Sequence, residues 1–217
     1  MFLGHYAIGL AAKKADRKPS LATYFVAVLL LDLLWPFFLI MGIEKVEVDP
    51  GNTEFTPLNF VSYPYSHSLL AVLIWSVLAA VVYYVLKKST RSALLIGALV
   101  ASHWLLDFLT HRPDLPLAFS GDHKVGLGLW NEKLATILVE LALFFGGIVL
   151  YTRATKPNNR TGKIAFWSLV VFLLVIYFLN AYGPTPTAEA IPYGGFAQWL
   201  FVVWAFWIDR NRSAVDY

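Results

Sequence analysis

A histidine and an aspartate at helical spacing are the first residues in this sequence that can do chemistry together. His103 and Asp107 are four residues apart in the apolar stretch GALVASHWLLDFLT, so a helix stacks them on one face, which His111 is expected to continue. Pro113 is expected to stop the helix just beyond. An imidazole and a carboxylate on one face can supply two ligands to a metal ion. The spacing therefore predicts either a metal site or a hydrogen-bonded pair with a structural role.

Other acidic side chains lie in apolar stretches of the same kind. Asp32 is in LLDLLWP and Glu140 is in a further apolar run, and no lysine or arginine lies in the interior of any of these stretches. A charged side chain in hydrocarbon costs several kcal/mol, about 3 kcal/mol on insertion scales. The acids must therefore be protonated, face a water-filled cavity, or bind metal cations. This charge imbalance is the main functional indication in the sequence.

The ionisable residues are expected to lie in one layer of the membrane. At about 1.5 Å of rise per residue, His67 and His111 lie about 30 Å above the nearest basic cluster, at the outer ends of their helices. A cavity that opens outward would explain why several helices carry polar groups at similar depth. The residues in helix interiors lie roughly 18–24 Å above the nearest basic cluster; they are Asp32, His103, Asp107 and Glu140.

The elements that carry these residues are expected to be membrane-spanning helices. Hydrophobic residues make up 58% of the 217 residues and charged residues only 14%, against roughly 45–50% and about 25% in soluble proteins. An apolar run of about 20 residues is long enough to cross roughly 30 Å of hydrocarbon as a helix. Six runs are of about this length: 21–41, 67–86, 92–110, 133–152, 164–182 and 191–208.

The predicted fold class is all-α: a polytopic membrane protein with one transmembrane domain over residues 1–217. Helices within 1–140 carry the candidate metal site, and the two helices within 160–210 are expected to be scaffold because their interiors hold no ionisable residue. The apolar segment 1–12 is too short to cross, so we expect a half-membrane helix that brings His5 beneath the cavity. This segment has no small-residue cleavage site, and a removable signal peptide is not expected.

Clusters of basic residues predict the orientation of the bundle. They precede the first run, join the second to the third and the fourth to the fifth, and follow the sixth. The positive-inside rule then places both termini in the cytoplasm and the loops 42–66 and 111–132 on the outer side. In the second loop, Asp114, Asp122 and His123 are expected to be solvated surface. Because the net charge of +3 is divided among these clusters, no nucleic-acid surface is predicted.

Several short motifs surround the candidate ligands: Gly4-His5, Asp32 shortly before Pro36, Ser66-His67-Ser68, and Ser102-His103 with Asp107. Over about residues 1–140 they resemble a family of bacterial inner-membrane proteins described as membrane-bound metal-dependent hydrolases. The segments THRPDLP and GLGLWN in the second long loop look like a subgroup of that family. The order of the motifs is also similar to that of the zinc-dependent phospholipase C and P1-nuclease fold.

This resemblance implies a metal centre in a bacterial inner membrane. It implies that His67, His103 and Asp107 are metal ligands, that Asp107 can bridge two ions, and that Asp32 is a ligand or the general base. Because the chain has no cysteine, the ligands must be imidazole and carboxylate, which suits Zn, Mn, Fe or Ni; one or two zinc ions are expected. A second metal position would be completed by His5, His111 and Glu140.

The expected function is hydrolysis of a lipid-borne ester or phosphoester near the outer leaflet, with membrane lipids as the partners. Intramembrane acids and histidines are also typical of proton or metal-ion transporters, and a non-catalytic protein with a structural metal is a third alternative. A transporter needs a polar route to both faces of the membrane. The cytoplasmic halves of the predicted helices are almost purely apolar, which favours the enzyme.

Overall fold

The computed structural model describes residues 1–215, which form a bundle of long helices joined by loops with short strands. Six helices in this part of the chain are long and apolar enough to span a membrane, so the protein is an all-α polytopic membrane protein. This result confirms the predicted fold class. The helices are α1 (Leu3–Ala15), α2 (Leu21–Ile40), α3 (Pro64–His67), α4 (Leu69–Lys87), α5 (Thr90–Thr110), α6 (Lys133–Ala154), α7 (Arg160–Tyr182) and α8 (Ile191–Asp209).

Within the described residues, three small antiparallel sheets of two strands each lie in the connections. The first two belong to the loops after α2 and after α5, which lie at the same end of the bundle. The third ties the loop between α6 and α7 to the segment after α8. The pairs are β1 (Lys45–Val48) with β2 (Leu58–Ser62), β3 (Leu115–Pro116) with β4 (Lys124–Val125), and β5 (Thr155–Pro157) with β6 (Arg212–Ala214).

Polar side chains mark the beginning of three spanning helices. Ser20, Ser68 and Asn159 each accept a hydrogen bond from the backbone N–H three residues later, at the starts of α2, α4 and α7. Each side chain satisfies an N–H group that the helix itself leaves unpaired. Because Ser68 caps α4, this helix begins two residues later than predicted, and His67 belongs instead to the separate short helix α3.

The helix α5 ends at Thr110 and does not continue through His111. His111 is the C-terminal cap and has an extended conformation, with φ −64° and ψ 144°. The nearby Pro113 has no N–H to donate, and it disfavours helical backbone at the residue before it. The prediction that His111 continues the helix face of His103 and Asp107 is therefore wrong.

The half-membrane helix α1 is enclosed by the spanning helices. It packs against α6, α2 and α5, and its residues Leu3, Tyr6 and Leu10 are almost completely buried. Its thirteen residues span about 20 Å. The basic residues Lys13 and Lys14 lie in its last turn, so its first turn lies deep in the bundle.

The close packing of α1 on α6 depends on Gly147. A Cβ atom at this position would lie 2.5 Å from the carbonyl oxygen of Ala7 and 2.8 Å from its Cα, closer than real contacts allow. Small residues that let two backbones approach are typical of helix interfaces in membranes. The neighbouring Gly146 is exposed, and a Cβ there would meet nothing within 4 Å.

We expect Gly147→Val to destabilise the protein by about 1–3 kcal/mol, because overpacking must push α1 away from α6. Gly146→Val is the matched control, since it makes the same change in helix propensity without the clash. The measurement is thermal unfolding of both variants in detergent. Equal unfolding temperatures for the two variants would contradict the packing described for α1.

Candidate metal centre

Five of the seven predicted ligands come together in the middle of the bundle. Among the described residues, two groups each offer three ligand atoms that lie within 4.8 Å of one another. His103 belongs to both groups, and the residues come from α1, α2, α3 and α5. One group is His5, His103 and Asp107, and the other is Asp32, His67 and His103.

Nε2 of His67 and Nε2 of His103 each lie near one carboxylate oxygen of Asp32 and one of Asp107. Asp32 Oδ1 lies 3.4 Å from His67 Nε2 and 3.8 Å from His103 Nε2. Asp107 Oδ2 lies 3.9 Å from His67 Nε2 and 3.0 Å from His103 Nε2. In a tetrahedral site with bonds of about 2.0 Å, neighbouring ligand atoms are about 3.3 Å apart. The observed distances lie on both sides of this value.

The imidazole of His67 is oriented by a hydrogen-bond chain from the loop after α2. Glu44 is buried and accepts hydrogen bonds from the backbone N–H groups of Tyr65 and Ser66 and from the Ser66 hydroxyl. Ser66 Oγ also lies 2.6 Å from His67 Nδ1. Because the one hydroxyl proton of Ser66 goes to Glu44, His67 Nδ1 must donate its proton to Ser66 Oγ. In the neutral ring, Nε2 of His67 is then the nitrogen that carries the lone pair.

The imidazole of His103 is oriented in the same way by the backbone of α2. Its Nδ1 lies 2.6 Å from the carbonyl oxygen of Val28, which can only accept, so Nδ1 carries the proton. Its Nε2 is buried and makes no hydrogen bond within residues 1–215, although Asp107 Oδ2 is 3.0 Å away.

In the neutral form of each ring, the lone pair of Nε2 therefore faces carboxylate oxygens. Lone pairs and anionic oxygens repel each other in an apolar interior unless a proton or a metal cation lies between them. Histidine ligands that donate the other ring N–H to a carbonyl or a polar side chain are typical of zinc sites. The donor set and the orphaned His103 Nε2 therefore fit a divalent cation held by either of the two groups that share His103.

The second oxygen of Asp107 faces the other side of the cluster. Asp107 Oδ1 lies 3.1 Å from His5 Nε2, and the His5 ring stacks on His103 with centroids 3.7 Å apart. This geometry would allow Asp107 to bridge two ions, with His5 at the second. The amino nitrogen of Met1 lies 2.5 Å from the same oxygen.

Glu140 is placed at the start of α1, outside both groups of candidate ligands. Its Oε2 accepts hydrogen bonds from the backbone N–H of Phe2, at 3.0 Å, and of Gly4, at 3.3 Å. A carboxylate is favourable there because the first N–H groups of a helix are unpaired and carry partial positive charge. In this structure Glu140 anchors the turn of α1 that carries His5.

His111 is also outside both groups, and it contacts a different carboxylate. Its Nδ1 lies 2.9 Å from Asp114 Oδ1, and the Tyr63 hydroxyl donates to the same oxygen at 3.0 Å. Burial lowers the pKa of His111 and raises the pKa of the Tyr63 hydroxyl well above its usual range. Asp114 is buried, so its prediction as solvated surface is wrong; the neighbouring Asp122 and His123 are exposed.

A cavity of about 620 Å³ leads from the cluster to the end of the bundle where the long loops lie. Asp32, His67, Asp107 and His111 line its inner part, together with Met1 and Phe2. The side chain of Asp32 is 23% exposed. It is therefore more accessible than those of His5, His67, His103 and Asp107. The helices α7 and α8, predicted as scaffold, also contribute to the wall. Their lining residues include Ile176, Asn180, Gln198 and Phe201.

Sequence reasoning missed the groups that orient the histidines. Glu44 is one of several charged residues in an acidic loop, and no spacing rule connects it to Ser66 or His67. Tyr63 and Asp114 likewise come from different loops and meet only in the folded chain. The one available signal was that His67 and His111 each have a polar neighbour within three residues, Ser66 and Asp114.

Comparisons of this chain with protein-family models, with curated proteins and with solved structures each found no match. The fold and the site define its class: an all-α polytopic membrane protein with a buried cluster of histidines and aspartates at the foot of a cavity.

We expect His103→Ala and Asp107→Asn to remove the metal that is bound to the wild-type protein, because each variant loses a central donor atom. The measurement is elemental analysis of protein purified in detergent, and His123→Ala is the control because His123 is exposed in a loop. Undiminished metal in the His103 and Asp107 variants would contradict the site.

The hydrogen-bond chain to His67 generates a milder prediction. We expect Ser66→Ala and Glu44→Gln to weaken zinc binding by about 10–100-fold without abolishing it, since partners outside the ligand shell orient the ligand and tune its basicity. The control is Glu47→Gln, an exposed acid in the same loop. Competition with a metal-binding dye measures the affinities. Wild-type zinc affinity in both Ser66→Ala and Glu44→Gln would rule out this orienting role.

Proposed function

We propose that this protein is a membrane-embedded, metal-dependent hydrolase that acts on a lipid-borne ester or phosphoester near the outer leaflet, with one or two zinc ions. The observation that carries the proposal is the buried cluster in which Nε2 of His67 and of His103 faces the carboxylates of Asp32 and Asp107 beside a cavity. Such a cluster is costly to bury without a cation. Its position at the end of a cavity supports a reactive site over a purely structural one.

The chain's own residues can supply two further parts of a hydrolytic reaction. When bound, a divalent cation supplies a Lewis acid that polarises a carbonyl or phosphoryl oxygen. Asp32 is partly exposed to the cavity, so its carboxylate can accept a hydrogen bond from an attacking water and orient it. His5 and Asp107 hold the opposite side of the cluster and are excluded from bulk water.

The walls of the cavity favour an amphiphilic substrate. Phe2, Trp35, Phe55 and Phe201 contribute apolar surface, and the same cavity is lined by carboxylates and by His67 and His111. A molecule with an apolar body and a polar ester would match this distribution. The phosphoester is the substrate class that the family resemblance supplies.

Transport is the competing function. The apolar packing between the cluster and the basic ends of the helices disfavours it. Leu10 of α1, Phe25 of α2 and Ile96 of α5 lie between the cluster and the basic ends of their helices, and all three are buried. A transporter needs polar groups along a route to each face. This apolar layer therefore favours an enzyme that is open to one side.

The proposed location is a bacterial inner membrane with both termini in the cytoplasm. The basic clusters lie in the connections at one end of the bundle, and the cavity is lined by loop residues from the other end. The positive-inside rule places the basic end in the cytoplasm. The cavity would then receive lipids of the outer leaflet.

The test is hydrolysis of a panel of phospholipids and lipid esters by protein loaded with zinc in proteoliposomes. We expect product formation by the wild type, a loss of about 100-fold or more in Asp32→Asn, and wild-type rates in Asp122→Asn, an exposed control. Zinc or proton flux that is abolished by Asp32→Asn would instead support a transporter. Tightly held metal without hydrolysis or flux would support a structural role.

A further inference from the structure

His111 lines the cavity but belongs to neither group of candidate ligands. It follows the last residue of α5, and its backbone N–H donates to the carbonyl oxygen of Asp107 at 2.7 Å. Its ring packs against Trp130, with centroids 4.3 Å apart, and against Phe60 at 4.8 Å. These contacts fix the ring beside the cluster, with Nδ1 facing Asp114.

The hydrogen bonds around Asp114 determine which nitrogen of His111 carries the proton. Asp114 Oδ2 accepts from Arg112 Nε at 3.3 Å, and Oδ1 accepts from the Tyr63 hydroxyl. A carboxylate paired with arginine and with a phenol is an acceptor. His111 Nδ1, 2.9 Å from Asp114 Oδ1, is therefore the donor. Nε2 carries the lone pair.

The Nε2 atom of His111 is free to meet a molecule in the cavity. It makes no hydrogen bond to any residue of the described chain, and His111 lines the cavity although only 3% of the residue is exposed. An imidazole with a carboxylate on Nδ1 and an open Nε2 has the orientation needed to accept a proton and pass it on.

The geometry points to His111 as a proton-transfer residue of the proposed hydrolase, positioned by Asp114, with no role as a metal ligand. This inference rests on the proposed function. A water oxygen forms a bond to the phosphorus or acyl carbon, and His111 Nε2 takes up the proton that this water loses. The bond from that centre to the leaving oxygen then breaks with its electron pair on oxygen. Nε2 returns the proton to this oxygen, so the ring ends neutral and the net reaction consumes one water.

The first part of the test separates this role from metal binding and needs no substrate. In protein with 15N-labelled histidine, only five imidazoles give signals, and His111→Gln identifies the signal of His111. We expect His111 to carry its proton on Nδ1, and we expect zinc loading to change the nitrogen signals of His67 and His103 but not that of His111. Bound zinc in His111→Gln should equal that of the wild type. A zinc-dependent change of His111 Nε2, or loss of zinc in His111→Gln, would overturn the inference.

The second part uses leaving groups of different basicity. An alkoxide needs a proton to leave, whereas 4-nitrophenolate does not, so proton delivery matters only for the first. We expect His111→Gln to slow hydrolysis of phosphatidylcholine about 100-fold or more, and hydrolysis of 4-nitrophenyl phosphorylcholine only a few-fold. Asp114→Asn should show the same selectivity with a smaller loss, and His123→Gln should resemble the wild type. Equal losses on both substrates would contradict proton transfer by His111.

The two proposals fail in different ways. Metal-loaded wild-type protein that hydrolyses neither these probes nor the lipid panel would contradict the proposed function and, with it, the proton-transfer role. Active wild-type protein in which His111→Gln hydrolyses phosphatidylcholine normally would contradict the role of His111 alone. If His111→Gln does not fold, Asp114→Asn supplies the leaving-group comparison, and the spectra of the wild type supply the test of metal binding.

Discussion

Imidazole nitrogens of His67 and His103 face carboxylate oxygens in a buried part of the bundle. A carbonyl and a hydroxyl acceptor each hold a proton on Nδ1, so in the neutral rings the lone pair on Nε2 faces Asp107 or Asp32. Repulsion of this kind is strong at low dielectric constant and is relieved when a proton or a metal cation lies between the nitrogen and the carboxylate. The surrounding helices and loops hold these histidines and aspartates together.

The bundle holds the cluster from two sides. On one side, the thirteen-residue helix α1 stacks His5 on His103, because Gly147 allows its backbone to approach α6. Glu140 accepts hydrogen bonds from the first N–H groups of this helix, so its carboxylate positions α1. On the other side, the loop after α2 brings Glu44 to the Ser66 hydroxyl. Acidic residues that a charge count treats alike therefore have different roles. Asp32 and Asp107 face the histidines of the cluster, whereas Glu140 anchors α1.

The membrane-spanning helices could be predicted because the cost of exposing a polar backbone to hydrocarbon acts on every residue of a span. The pairing of His103 with Asp107 was also predictable, since both lie on one helix with fixed periodicity. The same reasoning failed one turn later at His111, where Pro113 ends the helix. It also failed at Asp114, because its partners Tyr63 and Arg112 bury it in a loop that composition alone describes as solvated.

The sequence by itself determined that this chain is a bundle of membrane helices whose interiors hold acidic side chains but no lysine or arginine. Those properties depend on composition and on spacing along single helices, which local interactions control. Only the tertiary structure decided which acids face the histidines. Asp32, His67 and Asp107 are brought together from three separate helices, while Glu140 is drawn to the first turn of α1. Such contacts depend on packing between segments far apart in the chain, and no periodicity within one segment encodes them.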